Sequence, residues 1–587
     1  MISNLYSLLD SRIERLSTAL FEYKDSKNTW KSVSPSDFKL DVDKIAAGLL
    51  SLGVKKGESV AIISPTSYEW VCLDFAILSI GAVVVPVYET SSPAQIKHIL
   101  TDSNSKYAFV WDSAIFEHVD SISDQVPELI NTYVLDRGAL EYIKSLGEKV
   151  EADALLEVQN SVESHELATI VYTSGSTGAP KGVELSHKNF LSITESGLES
   201  VPELLMRENA RLLLFLPLAH VFARFLGYVA VAGTTTMGIV SNVSTLLKDL
   251  DHFKPTYLLG VPRIFEKVYN ASSQKAGIGI KGKLFKDAAK VAVEVSKLMQ
   301  DGKQVPAGIK AKHALYTKLV YSKILHALGG ACEYAVSGGA GINPELAHFF
   351  TGAGLPILEG YGLTETAAPA LVNRVGANKI GSIGLPLEGV EVRIDDDGEV
   401  LIKSDSLMMG YRNLPEETAN TMENDWLKTG DLGVMHESGH VSITGRKKDL
   451  IVTAGGKNVS PTPLEEAISA NPIISACVIV GENRPFIGAL ITLDTDNLRH
   501  FLKTHSLDAS IPITEARDLP LVKAEIDHSI AKANRLVSKA ESIRKYTVLE
   551  EDFTEANGQL TPSMKVRRQE VVRINADIIE REIYRRR

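Results

Sequence analysis

Tyr172-Thr-Ser-Gly-Ser-Thr-Gly-Ala-Pro-Lys-Gly-Val183 is the most informative segment of this 587-residue chain. Its three glycines let backbone N–H groups approach an anion closely, while its four hydroxyl side chains and Lys181 add donors and charge. The apolar run Leu167-Ala-Thr-Ile-Val-Tyr172 before it predicts a strand that leads into the loop. The segment therefore indicates a phosphate-binding loop, with a flexible Gly/Ser connector as the alternative.

The spacing of this loop excludes one common class of nucleotide-binding protein. A Walker loop requires G-x-x-x-x-G-K-[ST], but counting from Gly175 places Pro180 at the second glycine and Gly182 after the lysine. The loop is therefore not that of a P-loop nucleoside triphosphatase, and phosphate binding by another kind of enzyme stays open.

Composition and charge narrow the class of protein further. The formal net charge of -11 argues against a general nucleic-acid binder, because phosphate backbones attract basic surfaces. Cys72, Cys332 and Cys477 are too few and too widely spaced for a disulfide framework or a cysteine zinc site, which indicates a reducing, cytoplasmic setting. The N-terminus lacks the pattern of a secretion signal, and the most apolar segment, 70–87, is broken by a glycine and a proline. We therefore expect no transmembrane helix.

Short β-branched runs alternate with helical patterns through the first two-thirds of the chain. This alternation predicts an α/β fold whose large N-terminal domain, 1–445, contains two doubly wound sheets with helices on both faces. Closely spaced strands and turns predict a small antiparallel barrel or sheet within it, at about 373–445. A small, mobile α+β C-terminal domain is expected over 446–587. The predicted strands are Val60-Ala-Ile-Ile63, Ala82-Val-Val-Val-Pro-Val87, Tyr107-Ala-Phe-Val110, Ala168-Thr-Ile-Val171, Arg211-Leu-Leu-Leu-Phe-Leu216, Tyr257-Leu-Leu259, Val390-Glu-Val-Arg-Ile394, Val400-Leu-Ile-Lys403 and Ala476-Cys-Val-Ile-Val480.

One segment departs in charge from the acidic chain around it. Residues 275–323 carry eleven lysines against three acidic residues. Apolar residues recur at helical spacing between Leu284 and Met299, so one helix face is predicted to be apolar. A helix packed on the core with a solvated lysine face is one interpretation. Peripheral docking on the anionic inner face of the membrane, where lipid substrates occur, is the other.

The segment His436-Glu-Ser-Gly-His440 fits the H-E-x-x-H pattern of zinc proteases. That pattern requires a helix, because only a helix brings the two histidines to one face. Gly439 and the short apolar runs on either side instead predict a β-hairpin with Glu-Ser-Gly in its turn. We therefore expect no zinc site here.

Four further clusters follow the glycine-rich loop, and their order and spacing resemble the adenylate-forming superfamily. This superfamily comprises acyl-CoA synthetases, luciferases and the adenylation domains of peptide synthetases. The resemblance runs from about residue 41 to residue 565 and is closest to the long-chain fatty acyl-CoA synthetases, through His220-Val-Phe-Ala-Arg224 and Thr561-Pro-Ser-Met-Lys-Val566. The clusters are Leu216-Pro-Leu-Ala-His-Val-Phe-Ala-Arg224, Ser337-Gly-Gly-Ala340 with Glu359-Gly-Tyr-Gly-Leu-Thr-Glu-Thr366, Thr429-Gly-Asp431 with Gly445-Arg446, and Leu560-Thr-Pro-Ser-Met-Lys565.

The resemblance implies an ATP-dependent long-chain fatty acid CoA ligase. The fatty acid carboxylate would attack the α-phosphate of ATP, forming acyl-AMP and releasing pyrophosphate, and the thiol of CoA would then displace AMP. Such chemistry mainly requires that charged phosphates be positioned and neutralised. Two alternatives stay open: a ligase that passes the acyl group from acyl-AMP to a carrier protein, and a non-catalytic acyl-nucleotide sensor.

The resemblance also implies a role for individual residues. Tyr361 would stack on adenine, Thr364 would hold the α-phosphate, and Asp431 would accept hydrogen bonds from the ribose hydroxyls. Arg446 would reach the ribose or phosphate. Lys565 would lie between the substrate carboxylate and the α-phosphate, where it stabilises charge.

The full set of implied site residues falls into six groups. The implied catalytic residues are Lys565, Thr364 and Glu365, and Thr173 and Glu365 are implied to hold Mg²⁺, because a hard cation prefers oxygen. The implied hinge is Lys448. Implied ATP- and AMP-binding residues are Thr173, Ser174, Gly175, Ser176, Thr177, Gly178, Lys181, Gly338, Glu359, Gly360, Tyr361, Gly362, Thr364, Asp431, Arg446 and Lys565. Implied acyl-binding residues are His220, Phe222, Phe225, Gly338 and Gly339, and implied CoA-binding residues are Gly455, Gly456, Lys457 and Asn458.

Overall fold

The computed structural model describes residues 3–16, 18–173, 180–277, 279–561 and 565–585. Five predicted phosphate-loop residues, Ser174, Gly175, Ser176, Thr177 and Gly178, therefore lie outside the described residues. The protein is an α/β protein, as predicted. Its large N-terminal part is built on a nine-stranded and a seven-stranded sheet, and its C-terminal part is built on a three-stranded sheet.

Every strand predicted from a β-branched run is present. The strands are β1 (Phe21–Lys24), β2 (Trp30–Val33), β3 (Ser59–Ile63), β4 (Val83–Val87), β5 (Ser105–Val110), β6 (Asn131–Val134), β7 (Leu167–Thr173), β8 (Lys181–Ser186), β9 (Arg211–Leu214), β10 (Thr236–Ile239), β11 (Tyr257–Gly260), β12 (Tyr334–Ser337), β13 (Ile357–Leu363), β14 (Ala368–Val372), β15 (Leu385–Pro386), β16 (Glu391–Ile394), β17 (Glu399–Lys403), β18 (Gly410–Tyr411), β19 (Met422–Glu423), β20 (Trp426–Met435), β21 (Val441–Arg446), β22 (Ile451–Val452), β23 (Asn458–Val459), β24 (Ile474–Val480), β25 (Ile487–Leu493) and β26 (Ile543–Val548).

Helices lie between most of these strands. They are α1 (Leu8–Arg15), α2 (Pro35–Ser51), α3 (Tyr68–Ser79), α4 (Pro93–Asp102), α5 (Ser113–Asp120), α6 (Ala139–Gly147), α7 (Ala152–Asn160), α8 (His187–Ser200), α9 (Pro202–Leu205), α10 (Val221–Ala232), α11 (Leu246–Phe253), α12 (Pro262–Ala276), α13 (Ile280–Gln300), α14 (Ala307–Tyr316), α15 (Ser322–Ala327), α16 (Pro344–Gly352), α17 (Pro415–Thr421), α18 (Thr462–Ser469), α19 (Thr495–Thr504), α20 (Ile513–Ala516), α21 (Pro520–Ala533), α22 (Arg568–Ile574) and α23 (Ala576–Ile578).

The seven-stranded sheet has the strand order β18-β8-β7-β4-β3-β5-β6. Its strands from β7 to β6 are parallel, while β8 and β18 add antiparallel strands at one edge. All five residues of β4, Val-Val-Val-Pro-Val, are buried, as is typical of a parallel strand covered on both faces. The antiparallel strands β7 and β8 directly precede and follow the glycine-rich segment in the chain.

The nine-stranded sheet has the order β15-β14-β13-β12-β11-β9-β10-β1-β2. The strands from β13 to β1 are parallel, and antiparallel strands close both edges. Strand β13 carries the predicted Glu-Gly-Tyr-Gly motif, and β12 ends at Ser337, directly before Gly338 and Gly339. The two segments of this predicted cluster therefore lie next to each other on neighbouring strands.

The region predicted as a small barrel or sheet is a five-stranded antiparallel sheet in which β16, β17, β20 and β19 follow one another and β21 pairs with β20. The predicted hairpin at the H-E-x-x-H segment is confirmed. Strand β20 ends at Met435, β21 begins at Val441, and the backbone N–H of His436 donates to the carbonyl of His440 at 2.8 Å. The two histidines therefore do not share a helix face.

A buried ion pair connects the elements between the two large sheets. The Arg224 guanidinium on α10 lies 2.5 Å from the carboxylate of Asp74 on α3, and their side chains are 0% and 4% exposed. Arg224 also donates to Thr169 on β7 at 2.6 Å, and the Tyr228 hydroxyl donates to Asp74 at 2.8 Å. Removing one partner of such a pair costs about 3–5 kcal/mol. Together with the hydrogen bond to Thr169, the pair holds α10 in place against β7, the strand that precedes the phosphate loop.

The lysine-rich segment packs as the first of its two interpretations predicts. The apolar face of α13 is buried against α16, with Phe285, Val291 and Val295 among its buried residues. All eleven lysines between 275 and 323 are exposed. In the described part of the chain, no helix is both long and apolar enough to cross a membrane.

The C-terminal part is a small α+β unit with its own hydrophobic core. Strand β25 pairs antiparallel with β24 and parallel with β26, and α18 and α21 pack beside them. Leu464, Ile468 and Ile526 are fully buried in this core. The boundary at residue 446 and the mobility of this unit stay predictions.

Candidate active site

A cavity of about 810 Å³ lies between the two large sheets, the five-stranded sheet and the C-terminal part. It brings together fourteen of the residues that the motifs singled out, from all five clusters. They are Thr173, Lys181, His220, Phe222, Gly338, Gly339, Gly360, Tyr361, Gly362, Thr364, Glu365, Arg446, Lys448 and Lys565. The last of these, Lys565, comes from the C-terminal part and lies in the same cavity as residues of the large sheets.

One end of the cavity is formed by the strands on either side of the glycine-rich loop. Thr173 at the end of β7 is paired across the ladder with Lys181 at the start of β8. The Lys181 ammonium lies 2.6 Å from the carboxylate of Glu417 and 5.3 Å from the centre of the Tyr411 ring. A cation and a hydroxyl therefore stand together where the loop enters and leaves the sheet.

Asp431 does not itself line the cavity but lies behind its wall, bonded to two residues that do, Tyr361 and Arg446. Its side chain is buried, and Tyr361 on β13 donates its hydroxyl to one carboxylate oxygen at 2.5 Å. The other oxygen is 2.8 Å from Nε of Arg446, which is its cross-strand partner on β21. A carboxylate held at this distance by two donors keeps a fixed orientation, which suits it to accept hydrogen bonds from a diol.

Positive charge is concentrated in this cavity, because Lys181, Arg446, Lys448 and Lys565 all line it. Loss of water around the ammonium and the charge of Arg446 lower the pKa of Lys565. The same two causes lower the pKa of Lys448. An anion with several negative charges, such as a polyphosphate, would relieve the repulsion among these cations.

Glu365 is the carboxylate best placed to hold a divalent cation. It lies in a short 3₁₀ turn, Thr364–Thr366, directly after β13, and lines the cavity with Thr173. The residues that the structure describes contain no group of three or more His, Cys, Asp or Glu that could hold a metal ion by themselves. One carboxylate and one hydroxyl fit Mg²⁺, which commonly binds through few protein oxygens together with substrate phosphates.

The predicted acyl side is formed by the start of α10 and the glycines after β12. His220 caps α10, and its Nδ1 accepts from the backbone N–H of Phe222 at 3.2 Å. Burial and the charge of Lys565 lower the pKa of His220 to about 4, so its imidazole is neutral at physiological pH. The Phe222 ring lies 3.3 Å from the point where a Cβ on Gly338 would stand, so the ring packs where a side chain would otherwise be.

Residues 16–412 match the family model described as AMP-binding enzyme, and residues 448–587 match that of the AMP-binding enzyme C-terminal domain. The chain belongs to the AMP-binding enzyme family. The superfamily resemblance carried by the motifs is thereby confirmed.

Relatives of this AMP-binding enzyme extend over almost its whole length. The long-chain-fatty-acid-CoA ligase FadD15 of Mycobacterium tuberculosis is 42% identical over 554 residues, which cover 94% of this chain and 92% of that protein. The long-chain-fatty-acid-CoA ligase ACSBG1 of Rattus norvegicus is 30% identical over 618 residues, covering 98% and 84%. The crystal structure of the anthranilate CoA ligase AuaEII in complex with anthranoyl-AMP superposes with a TM-score of 0.73 at 20% identity and covers 97% of each chain. This last likeness is one of fold.

Several predicted residues of this AMP-binding enzyme lie outside the cavity lining. Phe225 is buried against Gly197 of α8, and Glu359 accepts from the backbone N–H of Ile342 at 3.3 Å. Burial and the nearby Glu466 raise the pKa of Glu359 to about 8. The acyl role of Phe225 and the nucleotide role of Glu359 stay predictions.

The predicted CoA-binding segment forms the turn of a hairpin in the C-terminal part. Strands β22 and β23 pair on either side of it, and the backbone N–H of Gly456 donates to Thr453 at 2.8 Å. Lys457 lies 3.3 Å from the carboxylate of Glu541. Gly455, Gly456, Lys457 and Asn458 are not among the described residues that line the cavity, so their CoA role stays a prediction that depends on movement of this part.

Two residues that the motifs did not indicate contact the predicted site directly. Tyr411 donates its hydroxyl to Glu365 at 2.7 Å across 46 residues of sequence, and Glu417 pairs with Lys181 across 236 residues. Neither carries a local signal, because the contacts arise from the pairing of β18 with β8.

The neutral state of His220 leads to a prediction about pH. Because its pKa is lowered to about 4, His220 should contribute no ionisation to the rate of pyrophosphate release between about pH 6 and 8. We expect His220→Asn to change the size of that rate but not the shape of its pH profile. His326→Asn, at an exposed histidine, is the control. An inflection near the ordinary histidine pKa that disappears only in His220→Asn would contradict the assignment.

Proposed function

We propose that this AMP-binding enzyme is an ATP-dependent long-chain fatty acid CoA ligase that works through acyl-AMP. The observation that carries the proposal is the presence of Lys565 in one cavity with Lys181, Thr364 and Glu365. These residues provide a cation for each end of a triphosphate and a carboxylate for a metal. The names of the relatives, which are long-chain-fatty-acid-CoA ligases, support the choice of substrate.

In the first step, the fatty acid carboxylate would attack the α-phosphate of ATP and expel pyrophosphate. Asp431 would accept from the ribose hydroxyls and Tyr361 would stack on adenine, while Thr364 would hold the α-phosphate. Lys565 would lie beside both reacting groups, where its charge offsets the negative charge that builds up as the acyl–phosphate bond forms. Lys181 would hold the departing pyrophosphate.

Mg²⁺ is proposed as the cation of this site, with ATP and CoA as co-substrates. Glu365, with Thr173, would hold it, and it would neutralise phosphate charge when bound. The protein's own part is to fix the carboxylate at the edge of the cavity, beside Thr364.

In the second step, the C-terminal part would rotate about Lys448 and bring the Gly455–Asn458 hairpin to the thiol of CoA. Two contacts directly before Lys448 support this position for the hinge. Arg446 is paired with Asp431, and Lys447 lies 2.9 Å from the buried Glu399 on β17. Because both are tied to the five-stranded sheet, rotation would begin at the next residue.

The two alternatives predict different products. A ligase that transfers the acyl group to a carrier protein would form acyl-AMP but would not use CoA, whereas a sensor would bind acyl nucleotides without turnover. Lys181, Glu365, Asp431 and Lys565 together speak for a catalyst, because a sensor has no need of a complete charge-stabilising set.

We expect an acid panel to distinguish these functions. In the presence of ATP, Mg²⁺ and CoA, AMP release should be fastest with palmitate, slower with octanoate, and slow with acetate or an aromatic acid. Turnover of acetate or the aromatic acid alone would remove the fatty acid assignment and leave a ligase. No AMP release with any acid unless a carrier protein is added would favour the first alternative.

We expect Lys565→Ala to separate the two half-reactions. Pyrophosphate release from ATP and fatty acid should be abolished, because the cation beside the reacting groups is gone. Thioester formation from added acyl-AMP and CoA should be largely retained. Lys539→Ala, at an exposed lysine of the same part, should leave both rates unchanged. Equal loss of both half-reactions in Lys565→Ala would refute this role.

We also propose that the enzyme is cytoplasmic and contacts the inner face of the membrane through the lysines of 275–323. Since the apolar face of α13 is buried in the core, such contact would depend on charge rather than on insertion. A lysine near an anionic membrane surface contributes about 1 kcal/mol, so several together would give salt-sensitive binding.

Vesicle flotation tests this contact. Binding to anionic vesicles should fall on adding salt and in a variant with Lys281, Lys283 and Lys286 all changed to Glu. The matched control variant changes three exposed lysines of the C-terminal part to Glu: Lys503, Lys523 and Lys539. Binding that depends on neither anionic lipid nor salt would overturn the proposal.

A further inference from the structure

Tyr411 stands between two groups that the proposed function uses for different purposes. Its hydroxyl donates to Oε1 of Glu365 at 2.7 Å, and the face of its ring lies 5.3 Å from the ammonium of Lys181. All three side chains line the cavity. One aromatic side chain therefore touches both the candidate metal ligand and the candidate phosphate lysine.

The backbone around Tyr411 is fixed from three sides. Tyr411 pairs with Val183 of β8, the strand that begins at Lys181. The backbone N–H of Met408 donates to the carbonyl of Glu365 at 2.9 Å, and the backbone N–H of Tyr411 itself donates to Thr418 at 2.9 Å. The segment from 408 to 411 thus holds Glu365 through both its backbone and its side chain.

We propose that Tyr411 is a positioning residue that fixes the carboxylate of Glu365 and ties its orientation to the strand that carries Lys181. This inference rests on the proposed function, since it assumes that Glu365 holds the divalent cation. The hydrogen bond from the Tyr411 hydroxyl to Oε1 fixes the orientation of the whole Glu365 carboxylate. The second oxygen, Oε2, can then bind a cation. Partners that orient a metal ligand typically change metal affinity 10- to 100-fold when they are removed.

A consequence of this arrangement is coupling between the cation and the nucleotide. In the proposed function, Lys181 would bind the phosphates and Glu365 would bind the cation. Tyr411 contacts both of these side chains. Tightening of one contact therefore favours the orientation needed for the other. The measurable form of this coupling is the dependence of ATP binding on Mg²⁺ concentration.

Tyr411→Phe removes the hydroxyl and keeps the ring against Lys181. Calorimetric titration of the full-length protein with ATP at a series of Mg²⁺ concentrations should show that half-maximal enhancement of ATP binding needs about tenfold more Mg²⁺ than in the wild type. The thermal unfolding temperature and the affinity for ATP without Mg²⁺ should be little changed. Tyr142→Phe, at an exposed tyrosine, should behave as the wild type in every measurement.

A double-mutant cycle identifies the group through which Tyr411 acts. In a Glu365→Gln background, we expect Tyr411→Phe to cause no further change in the Mg²⁺ dependence, because the carboxylate that it orients is gone. An unchanged Mg²⁺ dependence in Tyr411→Phe alone overturns the inference. An equal shift of the Mg²⁺ dependence in both backgrounds also overturns it, because Tyr411 would then act on the phosphates or on the fold.

The binding measurement also separates this inference from the proposed function. If the wild type turned over no fatty acid but the Mg²⁺ dependence shifted as expected, the function would be wrong and the role of Tyr411 would stand. If fatty acid turnover were normal and the shift absent, the reverse would hold.

Discussion

The arrangement of the site depends on the two contacts of the buried Asp431 carboxylate. A buried carboxylate without partners is costly, because it loses its hydration. Asp431 offsets this loss through Tyr361 of the nine-stranded sheet and Arg446 of the five-stranded sheet. The two sheets are therefore held at a fixed distance at the point where a nucleotide would lie, and the chain leaves the five-stranded sheet immediately after Arg446.

Around this fixed centre, the cavity collects positive charge within a chain of net charge -11. Lys181 comes from the strand after the glycine-rich loop, and Arg446, Lys448 and Lys565 come from the junction and the C-terminal part. Cations from separate elements repel one another unless an anion lies between them. A bound triphosphate would thus stabilise the arrangement in which Lys565 lines the cavity, and in the proposed mechanism loss of pyrophosphate would weaken it. This gives a physical reason why domain rotation would follow the first chemical step.

Elements that depend on a short stretch of sequence could be predicted, whereas contacts between residues far apart in the chain could not. Strand β4 is a continuous apolar run, and because its burial follows directly from its composition it was predicted correctly. Fourteen of the predicted site residues also line one cavity, and several of them, such as Thr173, Gly338 and Arg446, lie at or directly after the carboxyl end of a strand. The contacts of Tyr411 and Glu417 could not be predicted, because they join residues far apart through the pairing of β18 with β8. Phe225, which directly follows the predicted motif that ends at Arg224, packs α10 against Gly197, and its acyl role stays a prediction.

The most direct test of the central claim follows the two products of ATP separately. The wild-type protein is mixed with ATP, Mg²⁺ and palmitate, and pyrophosphate and AMP are measured with CoA present or withheld. We predict that pyrophosphate forms without CoA, whereas AMP is released only when CoA is added. Pyrophosphate formation that requires CoA, or cleavage of ATP to ADP, would contradict an acyl-AMP mechanism in this cavity.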